Sequence, residues 1–293
     1  MELQLNGKRA LITGARKGIG WASARMLAQE GCSVAINARD KESLAVAASK
    51  LAEETGARVF DVHGDMSVEH DVRRVVEESV GHLGGIDILV TCAGSSPGGL
   101  LTELTEEDWL GSMRLKFLGY VRTVRHVLPH MLRQGSGSIV LVVGNDGLKP
   151  SYWELTAGAA NAADINFASS IAEQYGRHGI RVNTVNPGPV ATDRWDGLEK
   201  AFARDMKVSQ DRAHRLAVAS LPLGRICEPD EVASVVTFLA SPLASYVNGA
   251  NIPVDGGQRK PLMDIEAAFA GVDALDGAAS PDGGSRPAAE SMH

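Results

Sequence analysis

Seven short runs of β-branched and aliphatic residues alternate along the chain with longer stretches whose apolar positions recur every three to four residues. The runs Ala10 to Thr13, Val34 to Asn37, Val59 to Val62, Ile86 to Thr91, Ser138 to Val143, Ile180 to Asn186 and Gly249 to Val254 read as strands. The stretches 19–30, 41–55, 68–81, 106–133, 157–177 and 228–240 read as helices. Near-continuous apolar runs such as Ile139 to Val143 suit strands covered on both faces, and strands separated by helices pair in parallel. The pattern predicts an α/β single domain over residues 1–260, a doubly wound parallel sheet of seven strands. In such a sheet the ligand crevice lies at the carboxyl ends of the strands, where the strand order reverses.

Two segments stand outside this rhythm. Ala191 to Leu221 is long, polar and helix-prone, and it follows the turn Asn186-Pro187-Gly188-Pro189, so it is expected to cover the crevice as a lid. Beyond Asp255-Gly256-Gly257 the composition changes. Leu262, Ile265, Phe269, Val272 and Leu275 fall at helical spacing, and residues from Gly277 onward are rich in Ala, Gly, Pro and Ser. The expectation is an acidic tail over 261–293, a short amphipathic helix followed by disorder.

Charge then places the partners. From Leu262 to His293 there are six acids and one base, five of the seven net negative charges of the chain. The body is nearly neutral, which excludes a nucleic-acid surface. No apolar run reaches the roughly 18 residues of a membrane span, and the N-terminus carries neither a basic start nor an apolar stretch. A cytoplasmic location is expected. Cys32, Cys92 and Cys227 are odd in number and widely separated, which suits neither a disulfide framework nor a metal site.

The chemistry begins at Thr13-Gly14-Ala15-Arg16-Lys17-Gly18-Ile19-Gly20, three glycines between a strand and a helix. Gly14 permits the tight turn, Gly18 lets the backbone approach a pyrophosphate, and Gly20 allows helix and strand to pack closely, with the helix N-terminus facing the phosphates. Further on come Gly64-Asp65-Met66-Ser67, Ala93-Gly94, Leu128-Pro129-His130-Met131, Gly179-Ile180-Arg181-Val182-Asn183, Asn186-Pro187-Gly188 and Val254-Asp255-Gly256-Gly257. In this order the body from Leu5 to Gln258 resembles the classical short-chain dehydrogenase/reductase family, which implies the Rossmann fold and a nicotinamide dinucleotide. The resemblance implies that Asp65 meets the adenine edge with Met66 beside it, and that Ala93, Gly94, Pro187, Gly188 and Thr192 border the cofactor. It also shows Cys92 where the family usually has Asn. The second strand ends Asn37-Ala38-Arg39-Asp40, with no acid at Ala38 to accept from the ribose hydroxyls. Arg39, Arg16 and Lys17 suit a 2′-phosphate instead, so the cofactor is expected to be NADP, with NAD as the alternative.

The same resemblance implies a Ser after the fifth strand, a Tyr thirteen residues later, a Lys four beyond it and an Asn in the long helix after Trp109. Counting from Ile139-Val140 and back from Ala172 and Gly179 puts those positions at Gly144, Ala157, Asn161 and Lys116. All four differ. Asn161 is left to bond a ribose hydroxyl, and Lys116 to bring a positive charge into the crevice, paired with Asp164 or acting on substrate. Substitute proton donors cluster in Asn145 to Glu154: Tyr152 is the one phenol near the old Tyr position, and Asp146 and Glu154 are carboxyls that burial by Trp153 would make weaker acids. Trp153, Trp195 and Leu198 suggest an apolar pocket or a packed core.

Three readings stay open at this point. The first is an oxidoreductase on a small carbonyl or alcohol with a displaced proton donor. The second is a lyase, isomerase or cyclase on the same fold, and the third a catalytically inactive cofactor-binding subunit. The helices 106–133 and 157–177 resemble the faces through which the family dimerises and tetramerises, so a homodimer or homotetramer is expected.

Overall fold

The computed structural model describes residues 2–258, and the predicted tail helix at 262–275 lies outside them. Seven parallel strands form one sheet in the order β3-β2-β1-β4-β5-β6-β7. They are β1 (Arg9–Thr13), β2 (Ser33–Ala38), β3 (Val59–His63), β4 (Ile88–Thr91), β5 (Gly137–Val142), β6 (Ile180–Pro187) and β7 (Asn251–Val254). The central register sets Leu11 of β1 against Ala35 of β2 on one side and Leu89 of β4 on the other. The order therefore reverses between β1 and β4, which opens the crevice at the carboxyl ends of those two strands.

Helices cover both faces, which is why the strands read as unbroken apolar runs. On one face lie α1 (Gly18–Gln29), α2 (Lys41–Thr55) and α9 (Pro229–Ala240), burying Leu27, Leu44, Leu51 and Val236 against Ile12 and Val34. On the other, α3 (Glu69–Leu83), α5 (Leu118–Gln134) and α6 (Leu155–Tyr175) bury Val72, Val124 and Ile171 against Leu11 and Leu141.

The stretch predicted as one helix over 106–133 is broken. It runs as α4 (Glu106–Ser112), one π-helical turn (Met113–Phe117) and α5. A π-helical turn costs regular hydrogen bonds and is commonly found where a side chain must be aimed; here the turn carries Lys116. The expected lid is two helices, α7 (Asp193–Asp205) and α8 (Gln210–Ala219), with an apolar cluster of their own made by Trp153, Trp195, Phe202, Leu216 and Ala217. Trp153 is fully buried, crosses Phe202 edge-on at 5.8 Å and donates from Nε1 to Asp205 Oδ2 at 3.0 Å. It is the keystone of the lid and no part of the crevice wall. Trp195 and Leu198 do line the crevice.

Candidate active site

The glycine turn is fixed by space rather than by preference alone. Gly14 has φ +66°, and a Cβ placed on it would lie 2.7 Å from the backbone of Ala93. A Cβ on Gly20 would lie 2.4 Å from the Gly14 carbonyl oxygen. The turn delivers the chain into α1, whose N-cap Lys17 supplies no side-chain cap and whose first turn holds no acid. Amide hydrogens without a side-chain cap at a helix N-terminus attract an anion. From this turn a cavity of about 1000 Å³ runs along the carboxyl ends of the strands.

The cavity gathers most of the predicted cofactor residues. Gly14, Arg16, Lys17, Gly18, Ile19, Gly20, Arg39, Met66, Cys92, Ala93, Gly94, Asn161, Pro187, Gly188 and Thr192 all line it. Asp65 does not line it; its Oδ1 accepts the Ser67 N–H at 2.8 Å. Asp40 caps α2 through the Ser43 N–H at 2.9 Å, and that bond, with the Ser43 hydroxyl, holds its carboxyl below the usual range. Asp40 is thus committed as a capping group, leaving Arg39 and Arg16 exposed at the rim with no hydrogen bond or ion pair among the described residues. Lys17 pairs with Asp193 at 2.5 Å, tying the glycine loop to the first turn of α7.

At the far end the substituted positions close on one another. A Cβ on Gly144 would lie 2.4 Å from Asn161 Nδ2 and 2.7 Å from Asp146 Oδ1, and the Asn161 amide donates to that same Asp146 oxygen. A Cβ on Gly147 would lie 2.8 Å from Asn161 itself. Gly144, Asp146, Gly147 and Asn161 therefore form one interlocked unit, in which the absence of a side chain at 144 makes room for the Asp146–Asn161 bond.

Lys116 enters from the π-helical turn. Its stem lies along Gly94, its exposure is 5 %, and it makes no hydrogen bond or ion pair among the described residues. Burial, then the charge of Arg194, bring the ammonium down to about 8 against the opposing pull of Asp146, Asp164 and Glu154. Of the two roles left open for Lys116, the ion pair with Asp164 is absent among the described residues. Asp164 is fully buried, neither of its oxygens has a hydrogen-bond partner among the described residues, and burial outweighs Lys116 to push its carboxyl up to about 8. Glu154, part-buried and lining the cavity one turn before Ala157, is pushed up to about 7 by burial and by Asp146.

The neutral state of Asp164 has a thermal signature. An acid raised above its unfolded value of 3.8 stabilises the fold fully below that pH, and the contribution is lost as the pH rises to about 8. Asp164→Asn keeps the neutral shape, so it is expected to melt with the wild type at pH 4 and several degrees above it at pH 8. Equal melting temperatures at pH 8 would show that Asp164 carries its charge without cost.

Tyr152 is a correction to the sequence reading. Its hydroxyl donates to Met206 Sδ at 3.7 Å, burial pushes it up to about 12, and it lies outside the cavity wall. Trp153 turns inward against Gly98, where a Cβ would meet its ring at 2.1 Å, and this directs Tyr152 into the lid and Glu154 into the cavity. Sequence reasoning also missed Arg194, an exposed cation lining the cavity whose Nη1 lies 3.5 Å from Gly94 O. Its one signal was a base in the first turn of a helix, where the dipole favours acids.

A glycine turn at the switch point of a doubly wound sheet, opening a long cleft under a helical lid, defines a dinucleotide-binding protein of the oxidoreductase type. Comparison with known proteins agrees: the profile described as enoyl-(acyl carrier protein) reductase matches residues 14–259. The 3-oxoacyl-[acyl-carrier-protein] reductase of Thermotoga maritima is 34% identical over 87% of this chain and 99% of its own. Glucose 1-dehydrogenase of Gluconobacter oxydans is 34% identical over 86% of this chain and 91% of its own. L-sorbose reductase of Gluconobacter frateurii, solved with NADPH and L-sorbose, superposes with a TM-score of 0.82 at 33% identity over 88% of this chain and 98% of its own. The chain belongs to the short-chain dehydrogenase/reductase family of oxidoreductases.

Proposed function

We propose that the protein is an NADP-dependent oxidoreductase acting on a small carbonyl or alcohol, in which proton handling has passed from the family's customary phenol to Lys116. The observation that carries the reading is an ammonium buried in the cavity wall, with no ion pair among the described residues, and lowered to about 8. A group tuned near the working pH is suited to giving a proton to a developing alkoxide and taking one back.

The residues present fit the dinucleotide. The glycine turn and the α1 N-terminus would hold the pyrophosphate, and Asn161 Oδ1, buried with no hydrogen-bond partner among the described residues, would take a ribose hydroxyl. Arg16 and Arg39 would hold the 2′-phosphate, in keeping with the NADPH bound by the sorbose reductase relative. When bound, the nicotinamide supplies the hydride. Lys116 delivers the proton to the substrate oxygen, and Glu154, at about 7 and lining the same cavity, replenishes it. Asp146 keeps Asn161 in place and is a positioning residue.

Two charge-assisted contacts separate NADPH from NADH by about 10- to 100-fold in affinity. Titration followed by nicotinamide fluorescence is expected to show that preference. The double substitution Arg16→Gln, Arg39→Gln is expected to bring the two affinities together. NADPH should then be consumed with a panel of aldehydes and ketones. Absence of NADPH binding, or binding with no consumption across the panel, would overturn the proposal.

A further inference from the structure

Two cations turned into one cavity repel, and the buried one feels the repulsion as a lowered affinity for its proton. Lys116 and Arg194 stand in this relation. A Cβ on Gly94 would lie 3.3 Å from Lys116 Cγ, and Arg194 Nη1 lies 3.5 Å from the Gly94 carbonyl oxygen, so the two side chains flank the same residue. Both line the cavity, and among the described residues neither has a carboxylate within 4.0 Å. Arg194 also sits in the first turn of α7, where the helix dipole disfavours a cation.

The acids nearby do not balance the pair. Asp146 accepts from Asn161, while Glu154 and Asp164 are pushed toward their neutral forms. A fold holding two cations against each other, with the adjacent acids half-neutralised, is prepared for an anion. Because Lys116 faces both Arg194 and Asp146, and Asp146 holds Asn161 beside Gly144, the anion belongs with the reacting group of the substrate.

Resting on the oxidoreductase reading above, we propose that Lys116 and Arg194 form a carboxylate-recognition site, and that the substrate is a 2-oxo acid interconverted with its 2-hydroxy acid. In a 2-oxo acid the keto oxygen and one carboxylate oxygen lie side by side, so a single ammonium meets both. The planar guanidinium takes the carboxylate with two parallel N–H donors. Binding offsets the repulsion between the two cations and favours the protonated form of Lys116. The step then balances: hydride adds to the keto carbon, the π electrons of the carbonyl pass to oxygen, and that oxygen takes the proton of Lys116. The products are the hydroxy acid and the oxidised dinucleotide.

The test is a binding measurement that needs no turnover. Oxamate carries a carboxylate beside an unreactive carbonyl, and oxamide is its neutral counterpart; each is titrated calorimetrically into the protein loaded with NADP⁺. Oxamate is expected to bind at least about tenfold more tightly than oxamide, the size of one charge-assisted contact. Arg194→Gln is expected to abolish that preference while NADP⁺ affinity stays within about twofold, and Arg194→Lys to restore part of it. Equal binding of the two probes, or no binding of either, overturns the proposal. So does an Arg194→Gln variant that loses NADP⁺ affinity instead, because the guanidinium would then serve the dinucleotide phosphates. Consumption of NADPH with neutral ketones, without an oxamate preference, would leave the oxidoreductase reading standing and remove this substrate class alone.

Discussion

Lys116→Met is expected to lower carbonyl reduction by about 10²- to 10⁴-fold, the usual contribution of a positioned proton donor, with NADPH affinity little changed. Methionine fills the same volume along Gly94 without the charge, so the fold loses a buried cation that has no ion pair among the described residues, and its melting temperature should hold or rise. This separates a chemical role from a structural one, since a packing residue would lower stability when replaced. Lys116→Arg restores the charge but cannot give up a proton near neutral pH. It is expected to recover substrate affinity and leave turnover low. Parallel steady-state and fluorescence titrations on the three proteins check this, and turnover of Lys116→Met within threefold of the wild type would remove Lys116 from the chemistry.

Gly14→Ala carries the second large effect. The new methyl would stand 2.7 to 2.8 Å from three backbone atoms of Cys92 and Ala93, and the residue would be forced to keep φ near +66°. Holding an L-residue in that region costs about 1–3 kcal/mol, and the collision adds strain that backbone movement alone can relieve, because strands β1 and β4 are hydrogen-bonded neighbours on either side of the contact. The loop must open, and the alignment of the α1 amides is lost with it. NADPH affinity is expected to fall by at least about tenfold, from the backbone term alone. Gly56→Ala is the control: a left-handed glycine at φ +68° with nothing within 4 Å of its Cβ, far from the cradle, which should cost stability and leave NADPH affinity as it was.

The sheet was legible because burial on both faces writes itself into a strand as an unbroken apolar run. The strands and helices fall within about two residues of the pattern, the usual uncertainty at helix ends. The glycine cradle was legible for a similar reason, since steric limits leave one residue type at Gly14 and Gly20. The break at Met113–Phe117 was not, because a π-helical turn answers a tertiary need and leaves the helical spacing of apolar residues nearly intact.

The far end of the site was only half legible. Family spacing pointed to Lys116 and Asn161, and both line the cavity, with Lys116 facing Asp164. Charge states could not be read. Lys116 and Asp164 look like a salt bridge on paper, yet burial lowers the ammonium to about 8 and raises the carboxyl to about 8, so that near neutral pH Asp164 is mainly uncharged beside a charged Lys116. The choice between Tyr152 and Glu154 turned on the packing of Trp153 against Gly98 and Phe202, a contact between three separate segments that no local pattern announces. Arg194 was hidden by its setting in a polar helix, where a base attracts no notice.

The pH dependence of kcat/KM for NADPH-driven reduction tests the central claim most directly. The groups facing the Lys116 ammonium are Arg194, Asp146, Glu154 and Asp164, and burial sets it near 8. With Lys116 as the acid, the rate should be level toward pH 7 and fall about tenfold per pH unit above 8, and that fall should vanish in Lys116→Met. A profile that stays flat from pH 7 to 9.5, or a fall that survives in Lys116→Met, would place proton delivery elsewhere and contradict the account.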